Sequence, residues 1–345
     1  MSAPPRRAYT VVGVGAIGGT LAWSLARAGH PVSVVDADLQ HLAAVSEHGL
    51  VLERNGLRVP AAIDAIFTPD NCPAGLTNVL LAVKAHATAA AAQWLAEHLA
   101  DDGFVVSMQN GLNEPLLGSV LGLERIVGGF VDLFADVVEP GVIAEGGSGA
   151  VAVGEVDGHI TRRVEDVVAD LQAWGPAAAT ANILGFLWSK LGLGAMLAAT
   201  ALADASMADL VDRHRPAMHR LAGEVLAVAA ALAVRPEPFD GFRPEAYGVG
   251  ARLATTERAT DTLVAWLRTQ SKQRSGIWRD IAVRRRPTEV PAQFLPVLAA
   301  AGAHCVKLPL VTAMLRELAE VEREPASMSE KRLYALDSLA VRETT

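Results

Sequence analysis

Up to about residue 178 the chain alternates short apolar runs with longer segments whose apolar residues recur at helical spacing. The runs 10–14, 32–35, 79–83, 104–108 and 125–130 are rich in Val, Ile or Leu and end in turn residues. Strands buried on both faces of a parallel sheet read this way, because neither face meets water. Between them, 20–28 and 87–100 carry the period of a helix. Strand and helix in alternation predict βαβ units and a doubly wound α/β fold. Two further strand-like stretches, 141–145 and 150–154, are expected to form a hairpin or extend an edge.

From residue 184 onward the pattern changes. Segments 184–203, 206–234, 250–272 and 291–302 are rich in Ala and Leu at helical spacing, with no strand signal. Pro236, Pro238 and Gly241 place a loop between two long helices. A last helix is expected over 308–322, followed by a charged, exposed C-terminal segment. The change predicts two domains: a Rossmann doubly wound parallel sheet over 1–178, and an α-helical substrate and dimerisation domain over 179–345. A short hinge near 175–184 would join them, with the active site in the cleft between.

Composition narrows the classes. A length of 345 residues agrees with about two domains. With 51% apolar and 20% charged residues, a sizeable core is expected and global disorder is not. A net charge of −8 argues against non-specific nucleic-acid binding. Cys72 and Cys305 are too few for a disulfide framework, which points to a reducing compartment and a cytoplasmic protein. The apolar segments 191–203 and 225–234 fall short of the roughly 20 residues needed to cross a bilayer. Arg6 and Arg7 precede an apolar stretch that glycines interrupt, so it reads as the first βα unit rather than a leader.

Those glycines carry the strongest chemical signal. Gly13, Gly15 and Gly18 form a G-x-G-x-x-G turn between the first strand and the first helix. Gly13 permits the tight turn, Gly15 lets backbone approach a pyrophosphate, and Gly18 lets helix pack close to strand. The helix-start N–H groups of Ala16, Ile17 and Gly18 would then face the diphosphate. Asp36 ends the second apolar run, where a carboxylate accepts from the adenosine ribose hydroxyls and repels a 2′-phosphate. The expected cofactor is therefore NAD, with NADP the alternative.

Four further stations stand out. Lys84 follows a buried strand at its carboxyl end, where ligands bind doubly wound sheets; a solvated strand cap is the competing reading. Gln109-Asn110-Gly111 also ends a strand: Asn110 suits hydrogen bonding to the nicotinamide ribose or substrate, and equally suits a turn. Lys190 interrupts the apolar helix around Leu187-Trp188-Ser189-Lys190-Leu191. A lysine partly withdrawn from water is a proton donor to a developing alkoxide; alternatively it snorkels to solvent. Finally, residues 271–290 hold Lys272, Arg274, Arg279 and Arg284–Arg286 against Asp280 and Glu289, either a solvated face or a lure for an anionic substrate. No cluster with metal-ligand spacing appears.

Taken in order, these motifs resemble the ketopantoate reductase family, NAD(P)H-dependent enzymes that reduce a 2-oxo acid to its 2-hydroxy acid. The resemblance spans nearly the whole chain: G-x-G-A-x-G, strand-end V-K-A, Q-N-G, L-W-x-K-L, and R-x-D-I with R-P-T-E. It implies Lys190 as general acid, Asn110 and Glu289 at the active site, Lys84 near cofactor and substrate, and Ser275 in the substrate site. It also implies a homodimer with a small-molecule substrate; charge and the short apolar segments give the expectation of no nucleic-acid or membrane partner.

Three departures bear on substrate and cofactor. Where the family carries asparagines one and two turns after the lysine, this chain has Gly194 and Ala198. Sites that lose such amides change discrimination by orders of magnitude, which suggests a bulkier or less polar substrate. The interval from Asp280 to Glu289 is one residue longer than the common family spacing, and Asp36 replaces residues suited to NADP. Two other readings stand beside this one: a dehydrogenase for a hydroxy or amino compound that is not a 2-oxo acid, and a non-catalytic NAD-binding sensor.

Overall fold

The computed structural model describes residues 6–133, 135–146, 149–270 and 272–342. The chain divides into two compact units, one ending at Ile183 and one starting at Leu184. Sequence patterning set the break a few residues earlier, after residue 178.

The first unit is a Rossmann-like sheet. Its strands are β1 (Tyr9–Val12), β2 (Val32–Val35), β3 (Leu50–Arg54), β4 (Leu57–Ala61), β5 (Ala65–Phe67), β6 (Leu76–Leu81), β7 (Leu99–Ser107), β8 (Ile126–Val131), β9 (Ala135–Glu139), β10 (Val142–Glu145), β11 (Val151–Glu155) and β12 (Ala177–Ala179). The helices are α1 (Ala16–Arg27), α2 (Leu39–His48), α3 (Thr88–His98), α4 (Glu114–Leu121) and α5 (Arg162–Leu171). The main sheet runs β12-β11-β8-β7-β6-β1-β2-β5. From β5 to β8 it is parallel throughout; β11 then pairs antiparallel with β8. The order reverses between β1 and β6, the switch point at which doubly wound folds bind ligands.

Burial explains the apolar runs. Val11, Val34, Leu80 and Val106 on one face and Val79, Leu81 and Val105 on the other are fully buried. Each such side chain contributes about 1.5–3 kcal/mol relative to exposure.

A second sheet, β4-β3-β10-β9, was not expected. It lies against α1: Trp23 Nε1 donates to the Val59 carbonyl at 2.8 Å, and a Cβ on Gly19 would collide with Ile143. The 141–145 stretch therefore joins this sheet as β10, and only the 150–154 stretch extends the main one. Asn55 and Gly56, both at positive φ, close the β3–β4 hairpin.

The second unit is helical: α6 (Ile183–Thr200, whose first residue belongs to the first unit), α7 (Met207–Arg213), α8 (Arg215–Ala231), α9 (Leu253–Thr269), α10 (Gly276–Ala282), α11 (Val290–Ala303), α12 (Pro309–Arg323) and α13 (Glu330–Arg342). Of the expected 250–272 helix, residue 271 lies outside the described residues. The 206–234 segment breaks at His214, with Pro216 opening the next helix. The charged segment after residue 322 is not a free tail. Leu333, Leu336 and Ala340 bury one stripe of α13. His214, itself fully buried, places Nδ1 2.7 Å from Asp337 and Nε2 3.0 Å from Glu330. Glu224 of α8 accepts the Leu310 and Val311 N–H groups at the start of α12, at 3.0–3.1 Å. Among the described residues, Ile183–Thr200 is the one helix long and apolar enough to cross a membrane, and 72% of it is buried within the protein.

Candidate active site

The glycine turn has the geometry its motif requires. Gly13 sits at φ +87°, and a Cβ there would lie 2.7 Å from the Val83 nitrogen. A Cβ on Gly18 would strike the Gly13 carbonyl. Neither position tolerates a side chain without moving strand or helix. Gly15 is exposed, and a Cβ there meets nothing within 4 Å. Helix α1 starts with no side-chain cap and no acid in its first turn. Half-buried Ala16 and Ile17, with Gly18, thus present a positive helix end beside open backbone, which fits a dinucleotide diphosphate.

Asp36, half-buried at the end of β2, serves this turn directly. Its Oδ2 accepts the Val14 N–H at 2.6 Å and its Oδ1 accepts the Asp38 N–H at 2.9 Å. Carboxylate oxygens carry two lone pairs each, so acceptor capacity for ribose hydroxyls remains.

The next two strand ends adjoin the turn. Lys84 is exposed just past β6, one residue after the Val83 that Gly13 approaches. Asn110 is exposed just past β7, and Gly111 takes φ +96° to complete the Q-N-G turn. Buried between the two is a polar network that sequence reading missed. Gln109 Nε2 donates to the Val83 carbonyl at 2.9 Å and to Thr88 Oγ1 at 2.8 Å. Thr88 Oγ1 donates to Asn113 Oδ1 at 3.0 Å, and Asn113 Nδ2 donates to the Asn110 carbonyl at 3.0 Å. Beside it, Glu114 is wholly buried in the first turn of α4, and burial pushes its carboxyl up to about 7. Ser107 Oγ is near enough to temper that rise, yet outside hydrogen-bond geometry. Only polar residues in an apolar stretch hinted at this cluster.

In the second unit, Lys190 is half-buried on α6. Phe186, Gly194 and Leu197 are the part-exposed residues that share its face, and a Cβ on Gly194 meets nothing within 4 Å. Ala198, by contrast, is fully buried. At 3.6 residues per turn, position 194 lies about 40° round the helix from Lys190 and position 198 about 80°. Ser275 caps α10, accepting the Trp278 N–H at 3.1 Å. Glu289 precedes α11, with Gln293 Nε2 3.4 Å from its carboxylate. Neighbouring Thr288 is fixed by its N–H and hydroxyl to Glu322 of α12, at 3.0 and 2.5 Å. Arg284 and Arg286 pair with Asp280 at 3.0 and 2.9 Å, which offsets part of the basic run. Among the described residues no group of three His, Cys, Asp or Glu is arranged to hold a metal ion.

The first unit thus gathers the glycine turn, Asp36, Lys84 and Asn110 at one sheet edge; Lys190 and Gly194 share a face of α6, while Ser275 and Glu289 stand at the starts of α10 and α11. The glycine turn at the switch point of the parallel sheet gives the first unit the form of the dinucleotide-binding α/β class. The family description "Ketopantoate reductase PanE/ApbA" matches residues 9–158 and its C-terminal counterpart matches residues 182–322, and the chain belongs to the ketopantoate reductase family.

A 2-dehydropantoate 2-reductase of Mesorhizobium japonicum is 31% identical over 254 residues, 66% of this chain and 77% of that protein. One from Archaeoglobus fulgidus is 30% identical over 193 residues, 54% of this chain and 60% of that protein. Among solved structures, a PanE/ApbA family ketopantoate reductase from Ralstonia eutropha JMP134 is similar at TM-score 0.76 and 25% identity, covering 92% of this chain and 99% of that one. D-mandelate dehydrogenase, solved with NADH and anilino(oxo)acetate, shares the fold at TM-score 0.79 and 19% identity, covering 92% and 98%. The chain is an oxidoreductase acting on CH–OH groups, dependent on a nicotinamide cofactor as its family is.

Proposed function

We propose that the protein interconverts a small 2-oxo acid and its 2-hydroxy acid with NAD(H), using Lys190 as general acid and base. The observation that carries this reading is the face of α6. Lys190 is its one charged group, half-buried among apolar neighbours, with open space one turn on at Gly194.

When bound, the nicotinamide supplies and accepts the two reducing equivalents. The chain's residues do the rest. Lys190 gives its ammonium proton to the carbonyl oxygen during reduction and recovers it during oxidation. Negative charge grows on that oxygen in the transition state, so a positioned ammonium binds the transition state more strongly than the ground state. Lys84 contacts the cofactor and attracts the substrate carboxylate, Asn110 hydrogen-bonds substrate or the nicotinamide ribose, and Glu289 with Ser275 orients lysine and substrate. Asp36 favours NAD over NADP, because its carboxylate repels a 2′-phosphate.

Gly194 supports a substrate whose flank is bulkier or less polar than the family's hydroxylated acid, since no amide reaches from that position. A cytoplasmic homodimer with no nucleic-acid or membrane partner completes the proposal, and the net charge of −8 supports the nucleic-acid part. The test is initial-rate reduction of ketopantoate beside bulky 2-oxo acids and plain ketones, each with NADH and NADPH. NADH-linked turnover of a bulky 2-oxo acid is expected. Strong ketopantoate turnover with NADPH would overturn both the substrate and cofactor assignments.

A further inference from the structure

We propose that Thr88, Gln109 and Asn113 are positioning residues, forming a buried relay that sets Lys84 and Asn110 relative to each other for the nicotinamide end of the cofactor. The inference rests on the cofactor role proposed for Lys84 and Asn110.

The ladder between β6 and β7 extends past Ser107 to the Met108 N–H, which donates to the Leu81 carbonyl at 2.8 Å. Past it, both segments leave the sheet with exposed Lys84 and Asn110 at their tips. A side-chain relay joins the two segments there, from the Val83 carbonyl through Gln109, Thr88 and Asn113 to the Asn110 carbonyl.

Its direction is determined. The Gln109 amide must turn its nitrogen toward the Val83 carbonyl, because a flipped amide would set oxygen against oxygen. Thr88 Oγ1 then accepts from Gln109, and its single proton goes to Asn113 Oδ1. That fixes Asn113 as donor to the Asn110 carbonyl. Every member has one orientation, and Thr88, Gln109 and Asn113 are 1%, 6% and 7% exposed. Apolar residues would fill the space without burying amides, so filling alone does not account for the chemistry. Gly13 approaches the same segment at Val83, which couples the relay to the glycine turn as well.

The test separates the two ends of the cofactor. NADH carries nicotinamide and ADP does not, so binding of each is followed by fluorescence titration or calorimetry. Thr88→Val keeps the shape, removes the hydroxyl and leaves Asn113 Oδ1 unpaired. It is expected to weaken NADH by about tenfold and leave ADP within about twofold. Thr88→Ser, which keeps the hydroxyl, restores NADH affinity. If Thr88→Val fails to fold, Asn113→Asp is the second variant: its carboxylate faces the Asn110 carbonyl, and the same NADH-selective loss is expected. Equal loss of NADH and ADP, or no loss of NADH, overturns the relay. Asn110→Ala distinguishes the layers. Unchanged NADH binding there overturns the cofactor role of Asn110 and the relay with it. Weakened binding there, with Thr88→Val unaffected, overturns the relay alone.

Discussion

The Asp36 carboxylate holds the Val14 N–H at 2.6 Å, so the acid at the end of β2 braces the glycine turn from inside the protein. It shapes the turn, and the proposed reading adds acceptors for the ribose. Asp36→Ala removes both. NADH affinity is expected to fall by about tenfold or more, and NADPH affinity to gain less than the lost repulsion alone would allow. Titration with each cofactor checks this; an unaltered NADH affinity would remove Asp36 from both roles.

Lys190→Ala tests the general acid. The turnover number is expected to fall by about 10²–10⁴-fold, with NADH binding within about twofold of the parent. A variant that turns over normally would leave Lys190 as a snorkelling surface residue.

Gly194→Asn restores an amide one turn after Lys190 without a clash, because a Cβ at that position meets nothing within 4 Å. It is expected to shift the ratio of kcat/KM for hydroxylated over apolar 2-oxo acids by about tenfold toward the hydroxylated ones. An unmoved ratio would mean that substrate does not pass that face of α6.

Glu114 predicts a pH dependence of stability. Its carboxyl titrates near 4.5 when solvated and is pushed up to about 7 by burial in the folded protein. Between those values the folded chain holds a proton that the unfolded chain has released, so stability falls as pH rises through the window. The loss amounts to about 3 kcal/mol by order of magnitude and is complete above the folded value. Glu114→Gln cannot ionise. Its melting temperature should sit a few degrees above the parent's at about pH 8 and close to it at about pH 5. Parallel melting curves for the two proteins across that range would rule the assignment out.

The main sheet was readable because both faces of each strand are buried, which leaves uninterrupted apolar runs. The second sheet was harder: β3 and β4 are half-exposed and mix charges into their pattern. The Asn55-Gly56 pair between them was the available signal, a turn chemistry that favours two-residue hairpins. His214 did not announce the break between α7 and α8, since its burial depends on carboxylates more than a hundred residues away. The stations at strand ends were legible as types, but the Thr88–Asn113 bond that ties two of them together joins residues with no local pattern. Family spacing paired Gly194 with Ala198, whereas helix rotation turns Ala198 into the core; Leu197, about 20° from Lys190, shares its face instead.

The clasp on His214 also orders events in time. Both carboxylates facing this imidazole come from α13, so during synthesis the helices before it emerge with a buried polar ring still lacking its partners. The helical unit is therefore expected to close only after Asp337 has left the ribosome, while the nucleotide-binding sheet is free to form earlier on the nascent chain. Arrested chains with Asp337 still inside the exit tunnel should keep residues 184–323 open to protease while the first unit resists it.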